Sequence, residues 1–196
     1  MELNDRSSLL AHLETRRSGR PRDMVAPGPD AEQLAHILEL AARTPDHGKL
    51  VPYRFVIVER DQRQALADLF ARALFDEDPD AHDAKVAKTL DKAHHAPALI
   101  VLVSSPVRAH KIPVWEQELT CGAAGMNLLH AVHAHGFVGG WITGAQAYHP
   151  MVTRAFCEEG ERIAGFFFIG SPCQPLEERD RPDPSELVTR WEPPRD

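Results

Sequence analysis

Cysteine is scarce in this chain: Cys121, Cys157 and Cys173 are an odd number, widely spaced, with no C-x-x-C pair. That excludes a disulfide framework and fits a reducing, cytoplasmic setting. No apolar run approaches the roughly 18 residues that a membrane-crossing helix requires. The N-terminal stretch MELNDRSSLLAHLETRRSGR is charged throughout and has no apolar core of the kind a secretion signal carries. Positive charge is in deficit too: 22 Lys+Arg against 29 Asp+Glu leave a net charge of −7, which argues against a nucleic-acid surface. Several catalytic signatures are missing. There is no G-x-S-x-G elbow and no H-E-x-x-H, and Gly139-Gly140 lacks the spacing of a Rossmann pyrophosphate loop. His130 and His133 are helical neighbours, but His135 falls on the opposite side and Cys121 over two turns away, so they make no metal set. Neither a membrane nor a nucleic acid is therefore an expected partner.

What is present is ordinary globular material, 43% hydrophobic over 196 residues. A chain of that size buries roughly 70% of the surface it exposes unfolded. Leu9, Leu10 and Leu13 give a first helix over about residues 5–16. Asp30, with Gln33 three residues on as a capping-box partner, starts a second, whose Leu34, Ile37, Leu38, Ala41 and Ala42 form one apolar face. Residues 54–59 predict a strand, Asp61 caps a third helix to about Phe75, and 83–93 predict a polar helix. Residues 98–104, ALIVLVS, are the best candidate for a central strand. From Trp115 to His135 runs one long helix in which Leu119, Cys121, Ala123, Ala124, Met126, Leu128 and Leu129 lie nearly all round. Such a helix is buried in a core or a subunit interface, and an interface is expected here. A glycine-rich passage (139–144), a short helix from Pro150 and a strand (164–169) complete the pattern. The fold class is α+β with three or four strands. Residues 1–170 form a single domain, and 171–196, rich in proline, extend it.

Three segments could carry chemistry. Arg16, Arg17, Ser18 and Arg20 place three guanidiniums and a hydroxyl within five residues, a receptor for a phosphate dianion. The same residues also suit a solvated basic turn at a helix C-terminus. Arg43, Asp46 and His47 could rim a pocket, or simply form a helix end and turn. Gly139-Gly140 beside Trp141 suits a planar ring approached by backbone, or a bulge.

Taken in order, these segments resemble the nitroreductase family, in particular its compact subgroup. Arg16-Arg17-Ser18-Gly19-Arg20 is similar to the family's RRSxR, and Ala41 to His47 to the subgroup's R-A-P-D-H loop. Pro52 to Val58 stands where the family has Q-P-W-x-F and a strand, and Lys111 to Glu118 resembles its K-x-P-x-W-E-Q-E lead-in to the central helix. Gly136-Phe137, Gly140 to Gly144, Ile169 to Pro172 and Arg181 to Pro184 follow its closing signatures. The resemblance covers nearly the whole chain in register. Val51, Tyr53 and Lys49 depart from the family's usual Gln, Trp and amide, and Ile142 stands where relatives carry a charged residue, which bears on substrate preference.

The resemblance implies a mostly antiparallel sheet flanked by helices and a homodimer with FMN at its interface. The C-terminal stretch would reach onto the partner. Carried over residue by residue, Arg16, Arg17 and Ser18 would contact the FMN phosphate and ribityl chain. Arg20 would set a cation near the N1/C2 edge of the ring, stabilising the reduced anion. Arg43 and His47 would belong to the same pocket, from the same or the second subunit. Trp141, Ile142 and Thr143 would line the isoalloxazine, with backbone N–H groups at Thr143 and Gly144 facing N5 and O4. Ala131, Val132, His133, Ala134, His135 and Gly136 would meet the nicotinamide nucleotide. The implied activity is hydride transfer from NAD(P)H through FMN to a nitroaromatic, quinone or similar small acceptor, with no catalytic side chain and no metal. Another FMN-dependent reduction, or a non-catalytic flavin-binding dimer, are the alternatives.

Overall fold

The computed structural model describes residues 2–194. Within them the helices are α1 (Leu9–Thr15), α2 (Ala31–Ala41), α3 (Arg63–Glu77), α4 (Asp83–Lys92), α5 (Val114–Ala134), α6 (Pro150–Phe156) and α7 (Pro184–Leu187). The strands are β1 (Met24–Val25), β2 (Tyr53–Ile57), β3 (Ala98–Ser104), β4 (Val138–Ile142) and β5 (Arg162–Pro172). The class is α+β, and every strand pairing is antiparallel.

β5 organises the sheet. It pairs β3 along one side, β4 over Phe166–Gly170, and β1 at Ser171 and Pro172, while β2 lies outside β3. Both faces of the sheet are covered, so β3 is a near-continuous apolar run rather than an alternating one. Leu99, Val101 and Val103 point to a cluster with Leu66 and Phe70 of α3 and Val152 of α6. Ile100 and Leu102 point the other way, to Ile37 of α2 and Leu128 and Val132 of α5. Phe166 and Phe168 against Phe167 and Ile169 repeat that alternation on β5.

The boundaries depart from expectation where short-range signals mislead. There are five strands among the described residues; β1 is two residues long and exists only because the end of β5 runs alongside it. The core therefore reaches past residue 170, and Leu176 still packs against it. α2 has its capping box as expected, Asp30 accepting from the Gln33 N–H and Gln33 returning the bond. For α3 the cap lies earlier: Glu59 and Gln62 form a capping box around a short 3-10 turn, and Asp61 sits inside it. α5 is divided between core and surface. Cys121, Ala124, Leu128 and Leu129 are in this chain's own core, so Ala124 is no interface residue, whereas Trp115 and Leu119 are exposed.

Candidate functional site

The arginine turn is held by backbone contacts from both sides. α1 stops at Arg16, whose backbone leaves the helical region (φ −57°, ψ 131°). Asn4 clamps the turn: its Nδ2 donates to the Arg17 carbonyl at 3.0 Å and its Oδ1 accepts from the Arg17 N–H at 2.7 Å. On the other side the Gly19 N–H donates to the Gly139 carbonyl at 3.1 Å. A Cβ on Gly140 would lie 2.7 Å from the Gly19 carbonyl oxygen, so only glycine admits the turn against β4. The glycine pair thus receives the backbone of the arginine turn rather than a planar ring.

The side chains of the turn converge with a segment that sequence reasoning left out. Arg16 donates from Nη2 to the Ser18 hydroxyl at 3.2 Å, while its Nε is buried with no acceptor. Arg181 donates to the Arg16 carbonyl at 3.1 Å. Burial foremost, then the positive charges of Arg181, Arg17 and Arg179, depress the proton affinity of the Arg16 guanidinium. Arg17 donates to the Glu177 carbonyl at 2.7 Å, and Arg20 faces the Glu177 carboxylate at 3.4 Å in the open. A partly buried guanidinium with an unused donor among other cations is the arrangement an anion completes.

The passage from β4 splits between core and surface. The Trp141 indole turns inward: its Nε1 donates to the Ala164 carbonyl at 3.0 Å and its ring lies 4.9 Å from that of Phe167. Gly125 and Gly165 leave it room, since a Cβ on either would press on the indole. Trp141 is therefore packed against the core on one side and remains half-buried. Ile142 and Gly144 are exposed and Thr143 is half-buried. Gly144, at φ 66°, turns the chain into the 3-10 segment Ala145–Ala147.

His47 lies elsewhere. Its Nδ1 is 2.7 Å from Glu116 Oε2, at the start of α5, and the buried Gln117 beside it ties down residues 107 and 112. The imidazole cluster beside the arginine turn includes His133, at the other end of that helix. At 1.5 Å per residue, residues 116 and 133 are about 25 Å apart. His47 thus lies at the opposite end of α5 from the cluster beside Arg16. Arg43 is nearer: with His12, His130, Asn127 and Leu40 it lines an apolar groove of about 460 Å³.

At the end of α5, Ala131, Val132 and His133 are buried, which withdraws them from any nucleotide on the surface of this chain. Ala134 and Gly136 are exposed and His135 half-buried, its Nε2 3.2 Å from His36 Nδ1. Burial pushes the Cys121 thiol up to about 11 and also raises Cys157, the reverse of what a nucleophilic cysteine needs.

The family model described as the nitroreductase family matches residues 13–171, the stretch that contains the arginine turn, the glycine strand and β5. The chain belongs to the nitroreductase family. It is an oxidoreductase. A Haemophilus influenzae protein named "Putative NAD(P)H nitroreductase" is 37% identical over 184 residues, 92% of this chain and 97% of its own. Escherichia coli "Putative NAD(P)H nitroreductase YdjA" is 33% identical over 168 residues, covering 85% and 91%. Among solved structures, a nitroreductase-like family protein from Bacillus cereus superposes with a TM-score of 0.79 at 21% identity, over 95% of this chain and 97% of that one. NADPH:FMN oxidoreductase from Vibrio harveyi, complexed with NAD+, gives 0.68 at 17% identity, over 89% and 73%. These last two likenesses establish the fold alone.

In this chain, then, the expected turn residues divide: Arg16 pairs with Ser18, while Arg17 and Arg20 meet Glu177. Ile142, Thr143 and Gly144 leave the same glycine strand against which that turn docks. His47 is not part of that assembly, and the Trp141 side chain packs towards the core. Asn4, Arg179 and Arg181 are additions. The R-P pair at 181–182 was visible as a signature, but its return onto a turn 165 residues earlier leaves no local mark.

Proposed function

We propose that this nitroreductase is an FMN-dependent NAD(P)H oxidoreductase, a cytoplasmic homodimer that reduces a nitroaromatic, quinone or similar small acceptor. The observation that carries the reading is the buried, unpartnered Nε of Arg16, set beside Ser18 with Arg179 and Arg181 nearby. The donor chemistry fits the phosphate of FMN. The names of the relatives supply the nicotinamide donor.

In this scheme Arg16 and Ser18 bind the phosphate, with Arg179 and Arg181 supplying further positive charge. Arg17 and Arg20, both engaged with Glu177, hold the chain that covers the ribityl side; the exposed Arg20–Glu177 pair is weak enough to release Arg20 to the ring edge. The backbone at Thr143 and Gly144 orients the isoalloxazine, with Ile142 beside it. Arg43 rims the pocket. His47 enters from the second subunit, because in its own chain it is paired with Glu116 at the far end of α5. Ala134, His135 and Gly136 are the surface left at the end of α5 for a nucleotide. Held there, FMN would supply the two-electron chemistry that connects a nicotinamide donor with the acceptor. The protein's share is to bind and orient, which needs no proton-transferring triad.

The test is direct. The purified chain is expected to carry a flavin spectrum, to bind FMN more tightly than riboflavin, and to oxidise NADH or NADPH when an acceptor is added. Arg16→Ala is expected to weaken FMN by about 1.5–3 kcal/mol, roughly 10- to 100-fold, for a lost charge-assisted hydrogen bond, and to leave riboflavin unchanged. Equal affinity for the two flavins would overturn the phosphate assignment.

A further inference from the structure

Three imidazoles cluster beside the arginine turn. His12 Nε2 and His130 Nδ1 are 2.8 Å apart, so one nitrogen donates and the other accepts. His12 also meets the ring of His133 edge-on, with centroids 5.4 Å apart. His133 is 1% exposed, and neither of its nitrogens has a partner.

The charges around these rings are of both signs. Arg6 and Arg43 line the groove that His12 and His130 share. Glu2, Glu14, Glu178 and Arg181 stand round the cavity that His133 lines. Burial is the main cause holding all three imidazoles below their usual range, and Arg16 adds to it in each case. His133 is brought down to about 3 and is fully enclosed, whereas His12 and His130 line an open groove that a proton can reach. Without an anion, a proton on that pair would be set against the Arg16 cation, which stands one helical turn from His12. A phosphate dianion on Arg16 carries about −1.5 to −2 charge at neutral pH and reverses the sign of the local field.

We propose that the His12–His130 pair takes up a proton when a phosphate dianion settles on Arg16, so that phosphate binding and imidazole protonation are one linked step. This rests on the phosphate reading given above. The sign follows from linkage: binding that raises the proton affinity of the pair must itself tighten as pH falls, by up to tenfold per pH unit between the free and bound titrations. The second ionisation of the phosphate, near 6, works the other way by only about twofold at pH 6. His12 and His130 are thus positioning residues that adjust the charge of the site.

The experiment measures FMN and riboflavin dissociation constants of the full chain by equilibrium dialysis from pH 8 to pH 6. It also counts protons taken up per FMN at pH 6.5, by calorimetry in two buffers of different ionisation enthalpy. In the wild type the preference for FMN over riboflavin is expected to grow as pH falls. Proton uptake with FMN is expected to exceed that of His12→Gln or His130→Gln by up to one. An FMN preference that stays flat or shrinks towards pH 6 overturns the proposal without any variant. So does an equal proton count in wild type and a folded variant. Equal affinity for the two flavins at every pH is a different failure, since it removes the phosphate site itself.

Discussion

Arg16 and Arg63 are both withdrawn from solvent, and they meet the cost of a buried charge in different ways. Arg63 finds acceptors inside the chain: Nε donates to the Val58 carbonyl at 3.1 Å, and Nη1 to those of Ala93 and His95 at 2.8 and 3.2 Å. Burial, helped by the nearby Arg60, lowers it to about 10, yet three carbonyls from two separate segments depend on it. Each keeps one buried nitrogen without a partner, Nη2 of Arg63 and Nε of Arg16, but Arg16 makes only one weak side-chain bond besides. Arg63→Met should therefore destabilise the flavin-free chain by about 2–4 kcal/mol, because the carbonyls lose their donor. Arg16→Ala should cost the flavin-free chain little, since Arg16 satisfies no buried acceptor. Urea denaturation of the two variants checks the contrast. A loss at Arg16 as large as that at Arg63 would make both structural. Nothing in the sequence separates the two roles. Arg63 looks like its neighbours Arg60 and Arg72, and its meaning comes from two other chain segments meeting at one point. Arg16 was legible because its neighbours, not its burial, pointed to an anion.

Elements were legible where a local period or cap decides them. β3 falls on residues 98–104 because five buried apolar residues in a row, Leu99 to Val103, leave no other reading, and the Asp30–Gln33 box fixes the start of α2. β1 was not legible, since two residues carry no period and the strand is imposed by β5. The glycines of β4 show the same division. A Cβ at Gly139 would meet the Leu129 side chain, 2.7 Å away and able to yield, whereas one at Gly140 would meet the Gly19 backbone at the same distance. Gly140→Ala is accordingly expected to push the arginine turn off the strand and to weaken FMN at least about tenfold. Gly139→Ala should cost stability in the α5 packing and leave the affinity near that of wild type. Flavin titration and thermal melts on both variants distinguish these outcomes, and unaltered FMN binding in Gly140→Ala would show that the turn does not depend on that approach.

The whole molecule leaves apolar surface that one chain does not cover. Leu9, Leu10 and Leu13 of α1 are 75%, 65% and 51% exposed, so the apolar spacing that announced the helix does not face this chain's own core. At the other terminus Leu187, Val188 and Trp191 are 67%, 71% and 81% exposed. Full burial of a Leu-sized side chain contributes roughly 1.5–3 kcal/mol, which here requires a surface from outside the chain. A homodimer that covers both regions is the arrangement we propose, and it also gives His47 a route to the site. The C-terminal extension has two parts that can be separated. Residues 174–181 lie on the arginine turn of their own chain through Glu177 and Arg181, whereas 187–191 make no such contact among the described residues. Truncation after Ser185 keeps the first part and removes the second. If the distal part docks on the partner, the truncated chain should show a weaker dimer by sedimentation and lower flavin occupancy together, because the pocket is completed at the interface. Arg179 and Arg181 remain in place, so the loss of flavin would not reflect a missing phosphate ligand. An unchanged melting temperature with full flavin occupancy would leave the distal segment a frayed end with no part in assembly.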